Sequence, residues 1–306
     1  MDKKLDLQGM AASAAIILLM IGAASLFHEP EIIFPEIAAL CTGVFLTPKV
    51  LWKDTGPVKL LALMTISAIF GVGLAALVPS LYLRIVLGGV FTLVCLAISG
   101  CALWPMLSAC ILPALLSITS PVYPVSVFAC TLAIVLVKQV AGGFRTVASD
   151  REYRSSKLLR RWGEGMLLVL IYALPACLLD RPLLIVPPLF VLFMELYTDE
   201  EKLKGREAQV LILGIACCNV GALLAMLLQY RMGGGPLLAG AVIAPVLFLL
   251  FHTFDIYLPP MAALSYLPLI LPAEALPMYP VFTGMTLLVI TLVIRSVRQE
   301  GKRQKR

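Results

Sequence analysis

The stretch that decides the fold lies at residues 103–113 and reads LWPMLSACILP. A related stretch lies at residues 258–268 and reads LPPMAALSYLP. In each, the proline near the start is followed eight residues later by a second proline. Each stretch is also followed by a Tyr-Pro-Val triplet, at residues 123–125 and 279–281. Because these features recur in the same order, with one extra residue before the second triplet, they predict that the chain is a tandem repeat.

The composition of the chain excludes an ordinary soluble protein. Of the 306 residues, 60% are hydrophobic and only 14% are charged, and the mean hydropathy is +0.98. So little polar surface predicts a lipid bilayer as the environment of the chain. The eight cysteines lie in apolar runs without a CxxC pair, and the two histidines do not stand at ligand spacing. We therefore expect no metal site, no disulfide and no cofactor.

Twelve apolar segments have about the length that is needed to cross a bilayer. Helices are expected for all of them, because a helix satisfies its own backbone hydrogen bonds in lipid. The predicted fold is an all-α, polytopic transmembrane bundle of two six-helix repeats. The predicted segments are 8–27, 31–48, 58–79, 83–100, 103–119 and 122–140, and then 164–181, 184–198, 208–229, 235–252, 257–273 and 278–296.

The charge distribution predicts the topology. The net charge of +6 comes from basic residues at the ends of apolar segments, which indicates membrane topology and not a nucleic-acid surface. A basic linker at 143–163 and a basic tail at 297–306 are predicted to be cytoplasmic, as are both termini of a protein of the cell (inner) membrane. The repeats then occupy 1–142 and 164–296. The loop residues that mark the same side are Lys49, Lys53, Lys59, Lys202, Lys204 and Arg206. Six crossings in each half make the two repeats parallel.

Short motifs in this sequence resemble the HPP family of integral membrane proteins. They are FPEIAAL at 34–40, TPK at 47–49, AIFGVG at 68–73, the Trp104-Pro105 and Pro259-Pro260 pairs and the closing Tyr-Pro-Val segments. The family is named for a His-Pro-Pro-like motif that opens a helix, and Trp104 and Pro259 stand where it has histidine. The resemblance implies a membrane protein with the same order of features. Since some members are linked to nitrite transport, it also implies a small inorganic anion as the solute.

A looser resemblance to the fusaric-acid-resistance-like exporters rests on the paired six-helix blocks. It implies export of aromatic or weak organic acids. Those exporters usually carry a soluble domain, whereas this chain has only a short linker between its halves.

The paired prolines predict that the fifth span of each repeat is broken. A proline inside a helix frees a backbone carbonyl, which is tolerated only where protein or water satisfies it. Paired broken segments are therefore the best sequence sign of a transport path. The predicted path residues are Glu36, Trp104, Pro105, Ser108, Cys110, Pro113, Tyr123, Pro259, Pro260, Ser265, Tyr266, Pro268 and Tyr279. The alternative is that the prolines only shape packing, the serines bond to their own backbone, and the tyrosines anchor the chain at the membrane surface.

Ionisable residues within spans add further candidates, because burying them in lipid costs several kcal/mol. Glu36, at the start of the second span, is predicted to be a gate or a proton-coupling carboxylate, unless it stays hydrated at the membrane surface. His252 and Asp255, three residues apart, are a candidate proton relay or inner gate. Glu195 precedes further acidic residues, so we expect it at a solvated helix end.

These patterns favour a transporter or channel for a small solute. A different class is left open, a non-transporting membrane scaffold or partner subunit whose basic linker and tail bind a soluble protein or anionic lipid. The sequence has no nucleotide-binding loop, nucleophile triad or metal-ligand set, so we predict no catalytic residue and no enzyme. The expected partners are the bilayer and the solute, and homo-oligomerisation is left open.

Overall fold

The computed structural model describes residues 7–47, 50–144, 156–199 and 202–303, without the side chains of residue 156 and residues 300–303. Within these ranges the ordered elements are helices, with no strand. Some of the basic residues on which the topology prediction rests lie outside the described residues. They are Lys49, the linker residues Arg145, Arg151 and Arg154, and the tail residues Lys305 and Arg306.

Twelve α-helices follow one another in the described residues, in the order long, short, long, long, short, long, which occurs twice. The first half contains α1 (Leu7–Phe27), α2 (Glu36–Phe45), α3 (Pro57–Leu77), α4 (Leu81–Ser99), α5 (Pro105–Leu116) and α6 (Val122–Val140). The second half contains α7 (Ser156–Leu178), α8 (Pro187–Thr198), α9 (Glu207–Leu224), α10 (Gly235–Phe254), α11 (Pro259–Tyr266) and α12 (Tyr279–Arg303). A π-helix over Ala225–Arg231 extends α9, and a 3-10 turn over Leu267–Ile270 extends α11.

Eight of these helices are long and apolar enough to span a membrane, namely α1, α3, α4, α6, α7, α9 with its π-helix, α10 and α12. The other four have 10, 12, 12 and 8 residues. At about 1.5 Å per residue they are roughly 12–18 Å long, against about 30 Å for the hydrocarbon core. The predicted twelve spanning helices are therefore not confirmed, and the described chain is a multi-pass membrane protein with eight candidate spans.

Prolines explain where the four short helices begin. Pro35 is the N-cap of α2, and Pro105, Pro187 and Pro259 are the first residues of α5, α8 and α11. A proline fits the first turn of a helix, where its missing N–H is not needed, but it disfavours a helical residue before it. This accounts for Val186 and Leu258, which are extended, but not for Trp104, which is helical although Pro105 follows it. All four short helices nonetheless follow a segment that is not α-helical, which the apolar composition alone did not reveal.

The short helices form the centre of the molecule. Every residue of α2, α8 and α11 is buried, and so are ten of the twelve residues of α5. Helix α2 packs against α11, and α5 packs against α8, so that each short helix of one half contacts a short helix of the other. The long helices surround them and expose large apolar side chains such as Leu19, Ile69, Val94, Ile171 and Leu292. This apolar exterior fits contact with lipid.

Basic residues mark one end of the bundle. Lys59, at the start of α3, donates to the carbonyl oxygen of Ser99 at the end of α4 over 2.8 Å. Arg206, just before α9, donates to the carbonyl oxygen of Phe254 at the end of α10 over 2.6 Å. Helices α3 and α9 therefore begin, and α4 and α10 end, at this basic end. The turns between α3 and α4 and between α9 and α10 lie at the opposite end.

Each half contains an equivalent close contact between two of its helices. A Cβ atom at Gly71 of α3 would overlap the carbonyl oxygen of Cys110 in α5, and one at Gly221 of α9 would overlap the carbonyl oxygen of Ser265 in α11. Cys110 and Ser265 are paired when the two proline stretches are aligned. The division into repeats at 1–142 and 164–296 stays a prediction, and it accounts for this correspondence.

The expected break in the fifth helices occurs in one of them. Helix α11 ends at Tyr266, and Pro268 lies in the 3-10 turn that follows. Helix α5 instead runs without interruption through Pro113 to Leu116. An internal proline removes one backbone hydrogen bond, and in α5 a side chain from α6 replaces that bond.

Candidate functional site

A tyrosine satisfies the carbonyl that Pro113 frees in α5. Because Pro113 has no N–H, the carbonyl oxygen of Ala109, four residues earlier, lacks its usual helical partner. The hydroxyl of Tyr123, in the first turn of α6, donates to that oxygen over 3.2 Å. Tyr123 is fully buried.

The second half repeats this arrangement. Pro268 frees the carbonyl oxygen of Leu264, and the hydroxyl of Tyr279, the first residue of α12, donates to it over 2.7 Å. Tyr279 is also fully buried, so neither tyrosine anchors the chain at a membrane surface. The two bonds give a physical reason why the second proline and the Tyr-Pro-Val triplet recur together in the sequence.

The structure brings two predicted path residues, Glu36 and Ser108, into direct contact. Glu36 is the first residue of α2 and is 1% exposed. Its Oε1 accepts a hydrogen bond from the hydroxyl of Ser108, in the first turn of α5. The phenol groups of Tyr123 and Tyr279 lie near enough to interact electrostatically with the Glu36 carboxyl group. We call the Glu36–Ser108 contact and these two tyrosines the Glu36 site.

One oxygen of Glu36 has no hydrogen-bond partner. This atom, Oε2, is buried, and no Lys, Arg or His of the described residues forms an ion pair with Glu36. An ionised carboxylate is very costly in such surroundings, so a bound proton or a bound cation must compensate it. The start of a helix favours negative charge, because the backbone N–H groups of the first turn point outward. The Glu36 site can therefore exchange a proton or hold a small polar solute.

The Glu36 site occurs only once in the chain. When the two halves are aligned on their prolines, Ala263 corresponds to Ser108 and Pro188 to Glu36. The second half therefore has neither the carboxyl nor the hydroxyl group. The sequence identified Glu36 and Ser108 as separate candidates, but the repeat pattern gave no sign that they meet.

Of the other polar residues predicted on the path, two bond to backbone and one packs against a neighbouring helix. The hydroxyl of Ser265 donates to the carbonyl oxygen of Met261 in its own helix over 3.2 Å, as the packing alternative expects. The hydroxyl of Tyr266 is 3.4 Å from the carbonyl oxygen of Gly240 in α10. Cys110 is buried close to α4, where its Sγ atom would be 3.1 Å from a Cβ atom at Gly88. These three residues are not part of the Glu36 site.

Towards the basic end, the three tryptophans of the chain line one cavity of about 90 Å³. Trp104, the N-cap of α5, contacts Trp162 of α7 edge to face, with ring centroids 5.3 Å apart. The indole N–H of Trp52 donates to Oε1 of Glu195 over 3.2 Å. The ammonium group of Lys202 lies 2.6 Å from Oε2 of the same carboxylate. We call these five residues the tryptophan cluster.

Glu195 is the residue that the sequence interpretation missed. The expectation of a solvated helix end was wrong, because Glu195 is only 3% exposed. Its partner Trp52 comes from the other half of the chain, and no local pattern indicates such a distant contact. A usable signal was its place at the end of an apolar run, where a buried carboxylate needs a cation. Lys202 supplies that cation.

The structure does not bring His252 and Asp255 to the Glu36 site. Asp255 ends α10 in a left-handed conformation, with φ of 52°, and is exposed. Its carbonyl oxygen accepts from Arg206, and no described hydrogen bond or ion pair joins the two side chains. In the loop that follows, burial and then the charge of Asp255 raise the pKa of Tyr257. The predicted relay is thus a pair of separate residues near the basic end.

No cluster of three or more His, Cys, Asp or Glu side chains that could hold a metal ion occurs in the part of the chain that the structure describes. Comparison with family models, with curated proteins and with solved structures gives no match for this chain.

Proposed function

We propose that the protein is an integral membrane transporter for a small solute and that the Glu36 site is its binding point. The observation that carries the proposal is a buried carboxyl group with one unpartnered oxygen, placed where two short helices begin. Ionisable groups inside membrane proteins are costly and commonly lie on substrate or proton paths. Discontinuous helices that start inside the bundle are the usual framework of such sites.

Helix α2 and its non-helical entry extend along most of α6. Phe34, just before α2, packs edge to face on Tyr123 at the start of α6. Phe45, at the other end of α2, lies under the ammonium group of Lys138 in the last turn of α6, at 5.7 Å. These contacts support six crossing segments in each half, two of them short. In this proposal the repeats are parallel and the basic end faces the cytoplasm.

The solute is a small anion that moves together with a proton. Glu36 must be neutral to accept an anion beside it, so it carries the proton in the loaded state. The starts of α2 and α5 then supply partial positive charge for the anion. The resemblance to the HPP family supports an inorganic anion of the size of nitrite. Weak organic acids, which the looser resemblance suggests, satisfy the same chemistry.

The tryptophan cluster closes this path at the basic end. It lies around Trp104, which is one turn from Ser108, and it joins residues of both halves. Its cavity of about 90 Å³ has room for only a few water molecules. Opening towards the cytoplasm therefore requires that Glu195, Lys202 and the indole rings separate.

The proposal is tested by flux in liposomes that contain the purified protein. We would impose a pH gradient and follow both internal pH and uptake for a panel of small inorganic anions and weak organic acids. At least one of these solutes is expected to enter together with protons. Glu36→Gln should lower the proton-coupled flux at least tenfold, because the amide cannot release a proton. Glu29→Gln, an exposed change on the segment before α2, is the matched control.

Two results would overturn the proposal. One is that folded wild-type protein neither binds nor moves any solute of the panel, which would favour the non-transporting scaffold. The other is that Glu36→Gln retains proton-coupled flux at the level of the control. Size-exclusion profiles and thermal midpoints of all variants would establish that they are folded.

A further inference from the structure

A basic pocket lies at the basic end and shares no lining residue with the Glu36 site or the tryptophan cluster. It has a volume of about 310 Å³ and is formed between the start of α9 and the last turns of α12. Its lining residues are Lys204, Gly205, Glu207, Arg295, Arg298 and Gln299. Three of these described side chains are cationic and one is a carboxylate.

Arg298 forms the buried floor of this pocket. Its side chain is 8% exposed, and its guanidinium group bonds to Glu207 over 2.6 Å and to the carbonyl oxygen of Lys202 over 2.8 Å. The remaining atom, Nε, is buried and has no hydrogen-bond partner. A buried N–H group without an acceptor destabilises the folded state. A guanidinium group has five N–H donors that need acceptors. Nε is thus a donor of Arg298 that no acceptor in the described residues satisfies, and Arg295 adds an exposed charge.

The pocket lies at the depth where the hydrocarbon of a bilayer ends. Glu207 is the first residue of one candidate span, and Arg295 and Arg298 lie in the last turns of another that ends at Gln299. Lipid phosphate groups occupy this level of a membrane. Pockets of lysine and arginine between the ends of helices recognise phosphate, because guanidinium and ammonium groups form charge-assisted hydrogen bonds with its oxygens.

We propose that Lys204, Arg295 and Arg298 form a binding site for a phosphate group, carried either by an anionic phospholipid or by a soluble phosphate. The site holds the ends of α9 and α12 together through one anion. It is independent of the transport proposal, since it requires only that the chain lies in a membrane. Glu207 keeps Arg298 in place and leaves its Nε atom to the ligand.

The experiment uses the full chain in a neutral detergent after lipid removal. Phosphatidylglycerol, phosphatidylcholine and inorganic phosphate are added separately, and the thermal midpoint and the bound lipid, by native mass spectrometry, are measured. Phosphatidylglycerol should raise the midpoint and bind in preference to phosphatidylcholine. Arg295→Gln should weaken this binding about fivefold, and adding Lys204→Gln should weaken it by about a further fivefold. Arg181→Gln, an exposed change at the opposite end, should leave it unchanged.

The arms of the experiment distinguish the source of the phosphate. Stabilisation by phosphatidylglycerol alone assigns the site to a lipid head group, and equal stabilisation by millimolar inorganic phosphate assigns it to a soluble ion. The proposal is wrong if neither anion stabilises the wild-type protein. It is also wrong if Arg295→Gln, whose exposed side chain can be changed without unfolding, binds phosphatidylglycerol as the wild type does.

Discussion

At the scale of single residues, the most informative feature is that proline and tyrosine act together. Pro113 and Pro268 each free a carbonyl oxygen, and Tyr123 and Tyr279 each donate a hydroxyl to it. Each repeated tyrosine therefore donates the hydrogen bond that the proline, without an N–H group, cannot donate to that carbonyl oxygen. Glu36, by contrast, is a buried polar group whose bonding is incomplete, which is why the proposed function is placed there.

The pairing of Tyr123 with Pro113 predicts a compensating double mutant. Tyr123→Phe leaves the carbonyl oxygen of Ala109 unpaired and should lower the free energy of unfolding by about 1 kcal/mol. Pro113→Ala restores an N–H four residues after Ala109, so the double variant should recover most of that loss. Tyr82→Phe, at a half-buried tyrosine with no described hydrogen bond, is the control. Thermal or denaturant unfolding measures all four variants, and strictly additive effects would contradict the pairing.

At the scale of elements, the sequence predicted the helices better than their lengths. The order of six segments in each half and the special character of the fifth could be predicted from apolar runs and prolines. The ends of the short helices could not. Segment 31–48, for example, is apolar almost throughout, yet α2 spans only Glu36–Phe45. Pro35, its N-cap, sets the start of the helix. In a buried helix that is apolar on all sides, periodicity carries no information about ends.

The close approach of α3 to α5 and of α9 to α11 predicts a matched set of glycine substitutions. Gly71→Ala and Gly221→Ala should each destabilise the protein by about 1–3 kcal/mol, because the new methyl group meets a backbone carbonyl that cannot rotate away. Gly73→Ala, in the same helix α3, meets nothing within 4 Å and should be neutral or stabilise by up to about 1 kcal/mol. Thermal unfolding in detergent compares them. Equal midpoints for Gly71→Ala and Gly73→Ala would refute the close contact.

At the scale of the whole molecule, the two halves are joined by contacts that the sequence could not show. Helices α2 and α11, and α5 and α8, are distant in sequence and pack together only because both halves bury their short helices at one centre. The carboxylate of Glu195 and the indole of Trp52 meet for the same reason. Repeat symmetry does not predict such contacts, because Trp52, Glu195 and Lys202 have no equivalent set in the other half. The Glu36 site is likewise asymmetric.

The tryptophan cluster predicts how the halves are held at the basic end. Lys202→Met leaves Glu195 buried without its cation and should lower the free energy of unfolding by about 2 kcal/mol. The loss is smaller than for a fully buried ion pair, because Lys202 is 21% exposed. Adding Glu195→Gln removes the unpaired charge and should restore most of the stability. Lys53→Met changes an exposed lysine of the same cavity and is the control.

Because the three tryptophans are the only ones in the chain and all are nearly buried, their fluorescence reports directly on the contact between Glu195 and Trp52. Acrylamide should quench the single variant Lys202→Met more strongly than the wild type, since separation of Glu195 from Trp52 admits the quencher. The double variant and Lys53→Met should resemble the wild type. If the single and double variants are equally stable and equally quenched, the ion pair does not hold the cluster closed, and the closure of the path must be sought elsewhere.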